Sequence, residues 1–286
     1  MVLPFGPSIL VLGAVQAATV AMPGAGLPSW LPRPRGVGWA LIAPGSIAAV
    51  VIAIAQAPGV ADGLTWLALI AVPPLAAAAL GWAMRGARPP AALAAIALLA
   101  VACLTPGSLA GQACATALTA LSCVTLGRLL AGITPGWALK AGIVVAAIVD
   151  TALIVSHQLQ GPNDLLNAAV PAPHLPQLQV AALAGARTGY GDFFVAGLLG
   201  ATLAAEGRDT VRAALLVLGF ASVMDLLFLV TDELPATVPV AAALGVVELQ
   251  GRIRAARVER RADVRPRARA AQSLRAGSHR SRRVEP

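Results

Sequence analysis

Long apolar runs separated by Pro, Gly and charged residues set the pattern of this chain. A helix that crosses a bilayer needs about 20 apolar residues, fewer where the bilayer adjusts. Nine runs qualify: roughly 8–23, 37–57, 63–84, 90–105, 109–132, 137–157, 188–205, 211–230 and 235–250, the fourth and ninth being short. Pro32 and Pro34, Pro89 and Pro90, Pro106, Pro135 and Pro235 punctuate the gaps. Pro73 and Pro74 fall inside the third run and predict a kink there.

Composition narrows the class. The chain is 58% hydrophobic and 12% charged, with mean hydropathy +0.78, where soluble domains carry about 25% charged residues. A soluble protein of 286 residues could not hide that much apolar surface. The expectation is an all-α membrane protein with nine transmembrane helices.

The net charge of +8 is local, because twelve of the 21 basic residues follow Gly251. This Arg-rich stretch, 251–286, reads as a cytoplasmic orientation signal and a solvated, disordered tail, with no nucleic acid expected. Basic residues also favour alternate loops: Arg33 and Arg35, Arg85 and Arg88, Arg128 with Lys140, then Arg208. Of the intervening loops, the second holds Asp62, the fourth no charge, the sixth Asp164 against Arg187, and the eighth Asp232 with Glu233. By the positive-inside rule the N-terminus lies outside and the C-terminus in the cytoplasm of a multi-pass cell-membrane protein. An odd number of spans fits that alternation. Trp39, Trp66, Trp82 and Trp137 fall near span ends, as an interfacial belt requires. The first run lacks the basic flank of a cleaved signal peptide.

Cys103, Cys114 and Cys123 lie in apolar runs with no C-x-x-C spacing and no neighbouring His, so neither a metal site nor a disulfide framework is expected. No cofactor is required. His157 and His174 fall in loops and suit a solvated role.

Candidate chemistry comes from acids at membrane depth. Asp150 sits inside the run WALKAGIVVAAIVDTALIV, and Asp192 opens the next run in Gly189-Tyr190-Gly191-Asp192. A carboxylate there costs at least about 2.5–3.5 kcal/mol on insertion scales, which makes it a functional hypothesis. Asp150 lies seven residues before the end of an outward span, and Asp192 about four past the start of the returning one. At 1.5 Å per residue both carboxyls sit roughly 6–10 Å below the outer boundary. Antiparallel neighbours can bring them face to face. Gly189 and Gly191 remove side chains where backbone would need to approach another chain closely.

Gly189-Tyr190-Gly191-Asp192-Phe193 resembles the G-x-G-D-F signature of the presenilin and signal peptide peptidase family of intramembrane aspartyl proteases. In that family the two aspartates lie on the sixth and seventh of nine spans, and a Pro-Ala-Leu motif opens the ninth. Here Asp150, Asp192 and Leu234-Pro235-Ala236-Thr237-Val238-Pro239 occupy those places. The resemblance covers about 137–250, with two departures: Val149 stands where the family usually has Tyr, and Thr237 where it has Leu. It implies a presenilin-like bundle in which 1–136 holds helices one to five, 137–250 the catalytic helices six to nine, and 251–286 the tail. It also implies that Asp150 and Asp192 are catalytic. Gly189, Tyr190, Gly191, Pro235, Ala236 and Thr237 would shape the active site or hold substrate. The N-out, C-in orientation is similar to the signal peptide peptidase branch.

Two close carboxylates sharing one proton supply both the base that activates water and the acid that polarises the scissile carbonyl. A helical substrate must first unwind, and an exposed strand edge could hold it by main-chain bonds. The resemblance assigns this to the Pro-Ala-Leu region and to the loop 158–187, whose prolines argue against a long helix. The expected partners are a transmembrane peptide or protein substrate and the lipid bilayer; oligomeric state is open. Asp225, in the eighth run, is either structural or an accessory acid. A proton- or cation-coupled transporter would also place acids in apolar spans. A prepilin-peptidase-like membrane aspartyl protease is the other alternative, disfavoured by Phe193-Phe194 and by the outer placement of the acids.

Overall fold

A computed structural model describes residues 5–24, 36–57, 59–229 and 234–257, and the statements below concern those residues. The predicted basic tail beyond 257, the loop with Arg33 and Arg35, and Asp232 with Glu233 lie outside them. The chain divides into two compact units, Met1–Leu244 and Gly245–Pro286.

The first unit is built from helices α1 (Phe5–Ala21), α2 (Ile42–Gln56), α3 (Val60–Ala78), α4 (Ala94–Leu104), α5 (Leu109–Ile133), α6 (Gly136–Val155), α7 (Gln160–Ala168), α8 (Tyr190–Ala205) and α9 (Thr210–Asp225). Residues 238–244 form α10, and in the second unit residues 245–257 are helical. Helix covers part of each predicted apolar run. Four helical stretches are long and apolar enough to cross a membrane: Val37–Gln56, Gly59–Ala83, Leu109–Ile133 and Gly136–Val155. Pro7–Ala21, Pro89–Leu104 and Tyr190–Ala205 are apolar but shorter.

The third run does not break at its proline pair. α3 continues through Pro73 and Pro74 to Ala78, then widens into a π-type turn at Ala79–Ala83. Prolines lack the N–H that would close the preceding turn. Nearby, the hydroxyl of Thr125 on α5 donates to the Leu75 carbonyl at 2.7 Å.

α5 is the central post, with 72% of its most apolar window buried against 22–39% for the other three long stretches. It packs on α8, α3, α4 and α1. Glycine makes the α5–α8 contact possible. A Cβ on Gly197 would meet the Cys123 carbonyl oxygen at 2.5 Å, and one on Gly127 would strike the Gly197 carbonyl. On its other side α8 meets α1, where a Cβ on Gly200 would collide with the Val20 main chain. Every residue from Phe193 to Ala204 of α8 is buried. An element apolar all round is enclosed by its neighbours, here α5, α1, α6 and α9.

The loop 158–187 holds more order than its prolines suggest. α7 is amphipathic and packs on α2 and α3. Its C-terminal carbonyls take bonds from Gln177 Nε2 (Asn167 O 3.0 Å, Ala169 O 2.9 Å), Gln179 Nε2 (Ala169 O 3.0 Å) and Arg187 Nη1 (Asn167 O 2.9 Å). A hairpin follows: β1 (Val180–Leu183) pairs antiparallel with β2 (Ala186–Gly189), with Leu183 opposite Ala186 and Val180 opposite Gly189. Ala184 (φ 49°) and Gly185 (φ 95°) make the connecting turn. Two positive φ values in a two-residue loop are the type I′ geometry that matches strand twist.

The outer side of β1 is covered by α5. Thr116 Oγ1 donates to Ala182 O at 3.3 Å, Thr119 Oγ1 to Leu178 O at 3.1 Å, and the Ala184 N–H donates to Gln112 Oε1 at 2.8 Å. The far edge of β2, at Arg187, has no such main-chain partner among the described residues. At the opposite end of α6 and α8, Lys140 Nζ meets Glu206 at 2.6 and 2.8 Å, and Arg208 Nε meets the same carboxylate at 3.5 Å.

Candidate active site around Asp150 and Asp192

Asp150 belongs to the inward stripe of α6. Leu139, Ile143, Ala146 and Ala147 are buried on the same face, and Asp150 is 8% exposed. An isolated charge in such a position would be costly unless hydrogen-bonded. Its partner is Thr237, whose Oγ1 donates to Asp150 Oδ2 at 2.6 Å. The main-chain N–H of Thr237 faces the same carboxyl.

Asp192 enters from the hairpin. β2 ends at Gly189, α8 begins at Tyr190, and Asp192 lies in the first helical turn. Its Oδ2 accepts from Thr188 Oγ1 at 2.9 Å and from the Gly189 N–H at 3.0 Å. The second bond is half of a capping box, the acid reaching back to the backbone of the residue before the helix. α6 packs on α8, and the Asp150 and Asp192 carboxyls lie within electrostatic reach of each other.

Gln16 of α1 completes the frame. Its Nε2 donates to the Asp192 carbonyl at 3.3 Å and to the Ala236 carbonyl at 2.9 Å. Two carbonyl acceptors settle which end of the amide faces them, since only the NH₂ can donate. A continuous path therefore runs from Asp192 through Gln16 and Ala236 to Thr237 and Asp150. The Pro235-Ala236-Thr237 turn sits in the middle of it, closed by the Val238 N–H donating to Pro235 O at 3.1 Å. Gln16 and Thr188 were not singled out from the sequence. A glutamine inside an apolar run was the available signal, because a polar group there must find a partner.

The other predicted site residues have different surroundings. The Tyr190 side chain points to α5, with its hydroxyl 2.8 Å from Ser122 Oγ. Ser122 gives its single proton to Thr119 O at 2.7 Å, so Tyr190 is the donor in that pair. Among the described residues no other helix brings its backbone close to Gly189 or Gly191. A Cβ on Gly191 meets only Ile47 Cγ1 at 3.8 Å, and one on Gly189 meets the Asp192 carboxylate at 3.3 Å. Glycines that admit neighbouring backbone lie elsewhere, among them Gly127, Gly142, Gly197 and Gly200. Asp225 ends α9, is part-exposed, and makes no hydrogen bond or ion pair among the described residues. It is not joined to the Asp150–Asp192 path.

Beside Asp150, an apolar groove of about 490 Å³ runs between α6 and α10, lined by Val144, Ala147, Ile148 and Thr151 on one side and Val238 and Ala241 on the other. Among the described residues no group of three or more His, Cys, Asp or Glu is arranged to hold a metal ion. Comparison of the chain with protein-family models, with curated proteins and with solved structures returned no match.

Proposed function

We propose that this chain is an intramembrane aspartyl protease of the presenilin and signal peptide peptidase type, with nine spans and Asp150 and Asp192 as its catalytic pair. The observation that carries this reading is the hydrogen-bonded path that ties both aspartates to the Pro-Ala-Thr turn through Gln16 and Thr237. A transport site would need the acids but not that turn.

The chemistry follows from the pair. One carboxylate takes a proton from a water whose oxygen attacks the scissile carbonyl carbon. The other carboxyl, protonated, gives its proton to the carbonyl oxygen. Collapse of the tetrahedral intermediate breaks the C–N bond, and the leaving nitrogen takes up a proton from the dyad. The two carboxyls act as a unit, so acid and base are not assigned separately.

The substrate is a transmembrane peptide unwound at the site. Irregular backbone at membrane depth is tolerated only where protein or water covers it. The free edge of β2 at Arg187 must therefore meet water or an extended peptide, which it can hold by main-chain bonds. The groove between α6 and α10 offers apolar side chains beside Asp150 along which such a segment can approach. Outward-facing Ile70, Leu67, Ile96 and Ile148, all at least 60% exposed, suit contact with lipid tails.

Purified full chain in vesicles should cleave a labelled transmembrane peptide, and a transition-state analogue of aspartic proteases should stop it. Absence of cleavage across a panel of such peptides would overturn the assignment. The proposed orientation is N-out and C-in. A reporter fused after Arg283 should be active in the cytoplasm, and an external signal there would remove the outer placement of the dyad.

A further inference from the structure

Each aspartate takes a threonine hydroxyl on one of its oxygens. Thr237 Oγ1 occupies Asp150 Oδ2 and Thr188 Oγ1 occupies Asp192 Oδ2, at 2.6 and 2.9 Å. The Gly189 N–H adds a second bond to Asp192 Oδ2 at 3.0 Å, and the Thr237 main-chain N–H faces the Asp150 carboxyl. The two threonines come from different elements, one from β2 and one from the turn before α10. Packing alone does not call for a hydroxyl at either position, because valine has nearly the same shape. A carboxylate has two oxygens and about four lone-pair sites. A short bond to one oxygen from a fixed direction constrains the plane of the group and leaves lone pairs to spare.

On the reading of a two-aspartate hydrolase given above, we propose that Thr188 and Thr237 are positioning residues of the dyad. By holding one oxygen of each aspartate they fix the two carboxyl planes and turn the remaining lone pairs toward the water and the shared proton. The arrangement is paired, one hydroxyl for one acid. Loss of either threonine therefore misaligns one carboxyl while substrate contacts elsewhere persist.

The test is steady-state cleavage of a labelled transmembrane peptide by the full chain carrying Thr188→Val, Thr237→Val, or serine at each position. Each valine variant should lower kcat about 10- to 100-fold with KM little changed, as expected for a misplacement of about 1 Å. Each serine variant should restore most of the rate. Valine variants that keep the wild-type unfolding temperature and the wild-type kcat would overturn the proposal. So would serine variants that fold but fail to recover activity. Where valine prevents folding, alanine against serine gives the same comparison without the branched side chain. A second readout is the infrared carboxyl stretch of each aspartate, identified by difference against its Asn variant. It should move when its own threonine is replaced and not when the other one is, and a band indifferent to its own threonine overturns the proposal. Asp150→Asn run alongside separates the two levels. Cleavage retained there refutes the two-aspartate reading itself, whereas loss there with normal kinetics in the valine variants refutes only the role of the threonines.

Discussion

Asp192→Asn is expected to cut cleavage of a transmembrane peptide by about 10⁴-fold or more, the scale seen when a member of a catalytic unit is removed. The substitution keeps the shape of the side chain and an oxygen that can still accept from Thr188 and Gly189, so the start of α8 should form as before. What it removes is the ionisable group, and with it the shared proton and the base. Asp150→Asn should act alike, because the asparagine oxygen can keep the Thr237 bond. The double variant should be no slower than either single one if, as proposed, the two carboxyls work as one unit. Asp225→Asn, lying off the hydrogen-bonded path, should keep most of the activity. The measurement is product formation at equal amounts of folded protein. Either single variant cleaving at the wild-type rate would show that its aspartate is not catalytic.

The second large effect concerns packing. Gly197→Val should destabilise the protein by more than the roughly 1–3 kcal/mol usual for overfilling a packed site. Even a single added carbon at Gly197 would stand 2.5 Å from the Cys123 carbonyl oxygen and 3.3 Å from the Val124 nitrogen, and neither is a side chain that can turn away. α8 must move off α5, and Asp192 is carried on that helix. Gly219→Ala on α9 is the control, because a Cβ there meets nothing within 4 Å. Replacing a mid-helix glycine that has free space should instead stabilise by about 0.5–1 kcal/mol. Thermal unfolding of the two variants should therefore move in opposite directions. A Gly197→Val protein as stable as wild type would mean that α5 and α8 do not cross at these residues.

Long apolar runs and the acids within them were legible in the sequence because each departs strongly from what a soluble chain contains. Asp150 on an inward stripe follows from the small and apolar residues that recur around it, Ile143, Ala146 and Ala147. The hairpin was not legible. Val180–Leu183 is a short apolar stretch that continues the character of its neighbours, and only Ala184-Gly185 marks a turn. What surrounds Gly189 and Gly191 was not legible either, for a related reason. A G-x-G pattern says where side chains are absent but not what fills the space, whereas Gly127, Gly197 and Gly200 carry no motif and still admit backbone. Gln16 shows the limit most clearly. Its two acceptors are 176 and 220 residues away along the chain, and no local pattern encodes such partners.

The ion cluster at the far end of α6 and α8 gives that pair a pivot. Lys140 grips Glu206 ten residues before Asp150, a lever arm of about 15 Å at the helical rise. A rocking of about 4° around that grip would carry Asp150 by about 1 Å, enough to change the rate of a reaction that depends on alignment by about 100-fold. On the proposed reading, a contact that touches no substrate would thus set how finely two helices are trimmed against each other. The charge at Lys140 and Glu206 would then be a mechanical setting for the chemistry proposed at the other end of the rod.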